Sequence, residues 1–312
     1  MKKFLLVLLP LLLLPLILFG CASTSKADKA VTTDDYYEQF WELWDAKKED
    51  EAAALLETWQ KENEKDPELY VCYFNMYMQK GSQEIMHLEP TLPANYSGQY
   101  MTGKNDDGDP IYLYSVVEYD DENCDKAIEY IDKGLSYNPK RLDMHFGKAH
   151  LLFLRQQYEN QVQVIKNVFE LNKKYKNEWL WTKNESIEAL GVGFGESIHE
   201  YILKWYNTGD SSTFKYMQEV SILYADNFPE DPIAFNDAGI SSMLIGDLKT
   251  ARIYFEKGYN LNPSDMLILS NLARACYNLG ETEASKKYYE IMAACDDPDY
   301  NEYAKEILAE YF

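Results

Sequence analysis

The sequence lacks the short motifs that mark the common enzyme classes. No G-x-S-x-G segment or P-loop is present. His199-Glu200 begins like a zinc-protease motif, but Leu203 stands where the second histidine ligand is needed. His145 and His150 are five positions apart, a spacing that does not bring two rings onto one metal. The sequence therefore predicts a protein that is not an enzyme and that has no metal site or cofactor.

Cysteines are few, and they are widely spaced. None of the five belongs to a C-x-x-C pair, so the spacing argues against a zinc site. Cys72 and Cys276 fall on helix faces that we expect to be buried. A disulfide stays open as an alternative in an oxidising compartment. Free buried thiols are the default expectation.

Positive charge is scarce in this chain. The chain has 30 Lys and Arg residues and 52 Asp and Glu residues, which gives a net charge of −22. Nucleic-acid binding depends on Lys and Arg that neutralise phosphates, so this class of partner is disfavoured. Flat adsorption on anionic lipid is disfavoured for the same reason. A solvated acidic surface that keeps the protein soluble is the simplest interpretation.

Long apolar runs are missing after the first twenty residues. The run from 4 to 19 follows Lys2 and Lys3, and this charged-then-apolar order is typical of an export signal. A membrane-spanning helix is the alternative, but the run is shorter than the ~20 residues that a span requires. Pro10 and Pro15 lie within it and would cost about 3 kcal/mol each in a helix interior.

Leu18-Phe19-Gly20-Cys21 closes this run and resembles the lipobox of bacterial lipoproteins. The resemblance implies that the thiol of Cys21 carries a diacylglyceryl group, that the chain is cut before it, and that the new amine is acylated. Several acyl chains give an anchoring that one chain cannot. An aspartate after the cysteine usually retains such proteins in an inner membrane, and Ala22 stands there instead. We therefore expect a bacterial cell-envelope protein, lipid-anchored, with the outer membrane favoured.

Glycine and proline are sparse, and they recur at regular breaks. The pattern A-x₃-hydrophobic-x-K-G-x₃-N-P occurs at 127–139 and again at 251–263. Phe235, Gly239 and Gly246 precede the second copy. Together these residues resemble the tetratricopeptide repeat, a helix–turn–helix unit of 34 residues. The resemblance implies an all-α solenoid of helical hairpins, in which small residues such as Gly239 mark the closest approach of two helices.

Composition and pattern divide the chain into six segments. Prolines, the Asn105–Gly108 turn and the β-rich run 111–117 predict a β-hairpin inserted into the helical array. The acids of that turn lack the spacing of a calcium loop, so a turn is the simpler interpretation. The segments are a signal peptide (1–20), a flexible tether (21–33), degenerate helical hairpins (34–87), the β-hairpin insertion (88–120), divergent repeat-like hairpins (121–228), and repeats with a C-terminal capping helix (229–312).

Binding is the function that the repeat resemblance implies. In such arrays a groove is lined by first-helix residues that do not pack within the repeat, and Asn271 occupies a position that often bonds a ligand backbone. The family's two-lysine clamp for a terminal carboxylate is absent. The predicted groove residues are Asn236, Ile240, Met243, Asn271, Arg274, Tyr277 and Asn278. We expect a non-catalytic scaffold that binds a protein or peptide partner and that meets the membrane through its lipid anchor.

The alternative function is binding of a small molecule or glycan by clustered aromatic residues. Aromatic rings that stack on a flat ligand would have to be exposed. The candidates are Trp179, Trp181, Tyr100, Tyr112 and Tyr114. The stretches 141–148 and 177–181 also resemble a group of bacterial tetratricopeptide lipoproteins, a likeness that supports the architecture and implies no mechanism.

Overall fold

The structure is a computed structural model that describes residues 32–93, 96 and 98–312. The predicted signal peptide, Cys21 and most of the predicted tether lie outside these residues. None of the described helices combines the length and hydrophobicity needed to cross a membrane. In chain order the elements are α1 (Thr33–Asp45), α2 (Glu49–Glu62), α3 (Pro67–Gly81), β1 (Ser82–Glu89), β2 (Tyr100–Lys104), β3 (Pro110–Tyr119), α4 (Asp121–Tyr137), α5 (Leu142–Leu154), α6 (Tyr158–Tyr175), α7 (Phe194–Thr208), α8 (Phe214–Asn227), α9 (Pro232–Leu244), α10 (Leu248–Leu261), α11 (Met266–Asn278), α12 (Thr282–Met292) and α13 (Pro298–Tyr311).

The helices form successive hairpins, and this confirms the predicted all-α, repeat-like solenoid. The pairs are α1/α2, α3/α4, α5/α6, α7/α8, α9/α10 and α11/α12, with α13 packed on the end. Short loops join the two helices of most pairs, as in other helical hairpins. We call the members of each pair its first and second helix. Each hairpin buries an apolar face only by stacking on its neighbours.

Aspartate caps followed by proline begin three of the helices. Asp66, Asp231 and Asp297 each precede a proline at the first helical position. Each carboxylate accepts a hydrogen bond from a backbone N–H in the first turn. These N–H groups have no partner within the helix, and proline adds its preset backbone angle. The Asp-Pro pairs therefore fix where α3, α9 and α13 start.

Close helix approach explains two of the glycines. A Cβ added at Gly239 would lie 2.4 Å from Cε1 of Phe255 on α10. One added at Gly134 on α4 would lie 2.6 Å from Cβ of Tyr70 on α3. Real Cβ atoms do not come this close to other carbon atoms, so both hairpins require glycine at the crossing. The role expected for Gly239 agrees with this geometry.

The inserted β element is a three-stranded antiparallel sheet between α3 and α4. Its strand order is β1-β3-β2, with Leu88 paired to Leu113 and Met101 paired to the same residue. The β-hairpin predicted from the sequence corresponds to β2 and β3. The additional strand, β1, begins at Ser82, six residues before the expected boundary at 88. It is missing from the sequence prediction because it follows α3 directly, with no turn residue between them.

The cysteines within the described residues are unpaired. Cys72, Cys124 and Cys276 are buried, while Cys295 is half-buried. Burial raises the pKa of the Cys276 thiol to about 11 and raises that of Cys72 as well. Both groups are therefore neutral thiols that pack in the core, and neither is poised as a nucleophile.

Candidate functional site

Three of the predicted groove residues form a hydrogen-bonded row across α9 and α11. Nδ2 of Asn271 donates to Oδ1 of Asn236 at 3.0 Å, and Nη2 of Arg274 donates to Oδ1 of Asn271 at 2.9 Å. The two asparagines are only 8% and 6% exposed, whereas Arg274 is exposed. The row therefore joins two neighbouring first helices and ends in a cation at the surface.

The carboxamide of Asn271 bonds two neighbouring side chains, one as donor and one as acceptor. The repeat resemblance implies a bond to a ligand backbone at this position, and in the structure the side chain bonds Asn236 and orients Arg274. Arg274 makes no ion pair with an acid among the described residues. Its remaining guanidinium N–H groups are therefore the donors that this row offers to a ligand.

The other four predicted residues include exposed and half-buried positions on α9 and α11. Tyr277 is 44% exposed, and its ring meets the rings of Tyr311 and Phe312 edge-on at 5.7 and 6.0 Å. Asn278 is exposed, and no described residue bonds its side chain. The remaining two, Ile240 and Met243, are half-buried against the cluster that contains Phe255 and Leu272.

A hydrogen-bonded histidine–aspartate pair beside this row joins α7 to α9. Nδ1 of His199 lies 2.7 Å from Oδ2 of Asp237, which is 3% exposed. The hydrogen bond with Asp237 raises the pKa of His199. We call the surface formed by His199, Asn236, Arg274, Tyr277 and their neighbours on α7, α9 and α11 the first-helix surface.

The sequence contained a signal for this pair that motif searching does not detect. His199, Asp237 and Asn271 are each the sixth residue of a successive first helix, α7, α9 and α11. Equivalent positions in stacked repeats face the same surface. Alignment by helix start would therefore have placed His199 beside Asp237, whereas the motif at His199-Glu200 indicated only that a metal site is absent.

Comparison with known proteins agrees with this architecture. One hairpin matches the tetratricopeptide repeat. The family model covers residues 268–290, which span most of α11 and α12. No curated protein matches the chain.

Solved structures resemble the helical array at low sequence identity. A tetratricopeptide repeat-containing protein of Cytophaga hutchinsonii is 14% identical, with 88% of this chain and 87% of that chain covered and a TM-score of 0.42. YrrB, described as a tetratricopeptide protein with an unusual peptide-binding site, is 11% identical. The match covers 80% of this chain and 97% of YrrB, with a TM-score of 0.38. PilW, a type IV pilus biogenesis factor, is 14% identical. The match covers 86% of this chain and 97% of PilW, with a TM-score of 0.37.

A buried ionic cluster joins α3 to α5 in the N-terminal half. Nη1 of Arg141 donates to Oε1 of Glu68 at 2.7 Å, and Nη2 donates to Asp143 at the same distance. Burial lowers the pKa of Arg141, but its bonds to Asp143 and Glu68 outweigh burial and raise the pKa. The backbone N–H of Lys183 also donates to Glu68. The cluster therefore holds the segment that joins α6 to α7, residues 176–193, against two first helices.

A separate groove of about 640 Å³ lies between the second helices α4 and α6, with α5 as its floor. Its apolar lining includes Ile128 and Leu152, and Gln163 and Asn167 add carboxamides that no described residue bonds. This groove lies among second helices, where the sequence analysis predicts no site.

The aromatic residues of the alternative function do not form one exposed platform. Trp179 is 1% exposed and Tyr114 is 7% exposed. Trp181 is half-buried beside Phe146, and Tyr100 meets Tyr112 edge-on within the sheet. No ring contact among the described residues joins the tryptophans to the sheet tyrosines. The burial of two of these five rings weighs against ligand stacking.

Proposed function

We propose that the protein is a non-catalytic scaffold that binds a segment of a partner protein on its first-helix surface. The observation that carries this proposal is the Asn236–Asn271–Arg274 row, which fixes an unpaired guanidinium on the surface of an acidic chain. The tetratricopeptide match at 268–290 includes Asn271 and Arg274.

The chemistry of the surface suits a peptide segment. The free N–H donors of Arg274 pair with backbone carbonyls or with an acidic side chain. Asn278 adds a carboxamide that both donates and accepts, and Tyr277 adds an exposed ring. Because Asn271 already holds Arg274, a ligand does not have to order that side chain, and the entropic cost of binding falls.

We further propose that this scaffold is lipid-anchored through Cys21 in a bacterial cell envelope, with the outer membrane favoured. The support is the lipobox-like Leu18-Phe19-Gly20-Cys21 and the Ala22 that follows it. A Cys21→Ala variant should accumulate uncleaved or appear in the soluble fraction. Fractionation of the envelope checks this, and identical distribution of variant and wild type would remove the anchor from the proposal.

Binding is tested by affinity capture of the lipoprotein from its own envelope, after membrane solubilisation in mild detergent. Protein partners recovered with the wild type should fall about tenfold for Arg274→Ala with Asn278→Ala, since loss of a charged hydrogen-bonding anchor costs roughly 1.5–3 kcal/mol. Arg252→Ala is the matched control, because it removes a guanidinium from the second helix α10, where it pairs with Glu256 and Glu281.

Two results would contradict the scaffold. One is equal recovery of partners by wild type and the double variant. The other is recovery of no partner together with a ligand-induced rise in melting temperature in a metabolite or glycan screen. The latter would favour the small-molecule alternative.

A further inference from the structure

The inserted sheet carries an apolar face that the rest of the described chain leaves uncovered. Met86, Leu88, Met101 and Val117 are between 53% and 65% exposed. Large apolar side chains scattered singly over a surface are normal, whereas a contiguous group indicates an interaction site. The strand register decides whether these four form a group.

The register places them on one side of the sheet. Leu88, Leu113 and Met101 are paired directly across all three strands, so their side chains form one row. Met86 lies two residues from Leu88 and pairs with Ser115, which lies two residues from Val117. Residues two apart on a strand share a face. We call the group Met86, Leu88, Met101, Leu113 and Val117 the apolar sheet face.

The opposite side of the sheet is filled by the insertion itself. Tyr114 is buried there, stacked on His87 at a centroid distance of 5.3 Å and tilted against Tyr96 at 5.1 Å. The hydroxyl of Tyr96 donates to the backbone carbonyl of Ser115 at 2.9 Å. The sheet is therefore packed on one side, and its exposed apolar side is a distinct surface.

Acidic residues border the apolar sheet face at both ends. Glu84 pairs with Val117 at one end. At the other end, Asp106, Asp107 and Asp109 occupy the turn between β2 and β3, where they are exposed and form no ion pair with a described residue. Residues 82–119 contain six Asp or Glu residues and a single lysine. An occupant of this face must therefore tolerate or match strong negative charge.

We propose that the apolar sheet face is a second docking surface, whose occupant is a partner protein presenting apolar side chains flanked by Lys or Arg. Charge complementarity selects this occupant. An anionic lipid surface would be repelled by the acids at both ends. A second copy of this chain would bring the same acids together, and like charges facing each other are unfavourable.

The proposal is tested by photo-crosslinking in the native cells with the full chain. Leu88 and Met101 are replaced, one at a time, by benzoylphenylalanine. Ile253 and Leu261 on the second helix α10 are the matched controls, because they are apolar and 49% and 41% exposed, outside the first-helix surface. We expect both sheet positions to yield an adduct with one and the same protein, and its crosslinked region to be rich in Lys or Arg.

Neutralisation of the turn tests the charge requirement. The combined change D106N, D107N and D109N should lower the adduct yield at Leu88 at least about fivefold, since complementary charges at an interface border raise the association rate. Three exposed acids on α12 and α13 provide the matched control, E283Q, E290Q and E302Q, which should leave the yield unchanged. Arg274→Ala should also leave it unchanged, so failure of the scaffold proposal and failure of this one are distinguishable.

Every other outcome overturns the proposal. Adducts between two copies of the chain indicate self-association, and adducts with lipid alone indicate a membrane contact. Yields at Leu88 and Met101 no higher than at the control positions, or yields insensitive to D106N, D107N and D109N, also contradict it. Circular dichroism of each variant verifies that the helical array is retained.

Discussion

Hairpins in the N-terminal and C-terminal halves of the array make the same turn with different residues. In α9/α10 and α11/α12 the left-handed residue is glycine, Gly246 with φ 83° and Gly280 with φ 77°. In α1/α2 and α5/α6 it is Lys47 with φ 60° and Gln156 with φ 57°. The next residue donates its N–H five residues back in all four hairpins. The turn geometry is therefore a property of the hairpin, and glycine only makes it less strained.

The two halves of the array also differ in how neighbouring first helices are connected. α9 and α11 are joined by neutral carboxamides, Asn236 and Asn271. α3 and α5 are joined by buried ions, with Arg141 fully buried and Glu68 1% exposed. Neutral amides tolerate burial when they bond each other, whereas a buried ion depends on its partner. The N-terminal half should therefore be more sensitive to loss of a single polar group.

The largest predicted effect is at Arg141. Arg141→Ala should lower the free energy of unfolding by about 3–5 kcal/mol, because it leaves the buried Glu68 and the half-buried Asp143 without their cation. Urea unfolding followed by circular dichroism measures this. Arg252→Ala in the C-terminal half is the control, with an expected loss below about 1 kcal/mol, since its acids are exposed. Equal losses of unfolding free energy in Arg141→Ala and Arg252→Ala would contradict the greater sensitivity expected of the N-terminal half.

A pair of glycine substitutions gives the next largest effect. Gly239→Ala should cost about 1–3 kcal/mol, since the new Cβ would overlap the ring of Phe255. Gly147→Ala on α5 should instead stabilise by about 0.5–1 kcal/mol, because its Cβ would meet Phe74 at an ordinary 3.4 Å. Thermal unfolding of both variants checks the prediction. Stabilisation by Gly239→Ala would show that the α9/α10 crossing is looser than its geometry indicates.

The sequence was informative wherever local chemistry decides structure. The recurrence at 127–139 and 251–263 predicted the helical array, and Gly239 and Gly246 marked a crossing and a turn. The ion pair of Arg141 with Glu68 could not be predicted this way, since 73 positions separate the two residues. Likewise, Lys47 and Gln156 carry no turn signal, because their left-handed conformation is imposed by the hairpin. The position of Arg274 was predictable from the repeat, whereas the row that orients it required the packing of α9 on α11.

Exchange of the turn residues tests the first comparison directly. Gln156→Gly and Lys47→Gly should each stabilise by up to about 1 kcal/mol, since glycine adopts the left-handed conformation without a Cβ clash. Gly246→Ala should destabilise by about 1 kcal/mol for the same reason. Differential scanning calorimetry of the three variants measures the shifts. Should Gln156→Gly destabilise, the side chain of Gln156 would have a role beyond the turn.

The smallest predicted effect concerns pH and the pair that joins α7 to α9. The hydrogen bond to Asp237 raises the pKa of His199 above the usual 6.5, and nearby Glu200 and Asp231 act in the same direction. The folded state therefore binds this proton more tightly than the unfolded state. Its stabilising contribution is complete below pH 6.5 and is lost as the pH rises through the folded-state pKa.

His199→Asn isolates this contribution from the other histidines. Burial lowers the pKa of both His145 and His150, so those two residues change stability with pH in the opposite direction. The difference in unfolding free energy between wild type and His199→Asn should be largest below pH 6.5 and should shrink by about 1 kcal/mol or less at higher pH, since one pKa unit corresponds to about 1.4 kcal/mol. Urea unfolding at a series of pH values from about 5.5 to about 8.5 provides the measurement, because this range spans the usual pKa of histidine, about 6.5. A difference that grows with pH would mean that Asp237 holds the neutral imidazole, and the contact between α7 and α9 would then not be an ion pair.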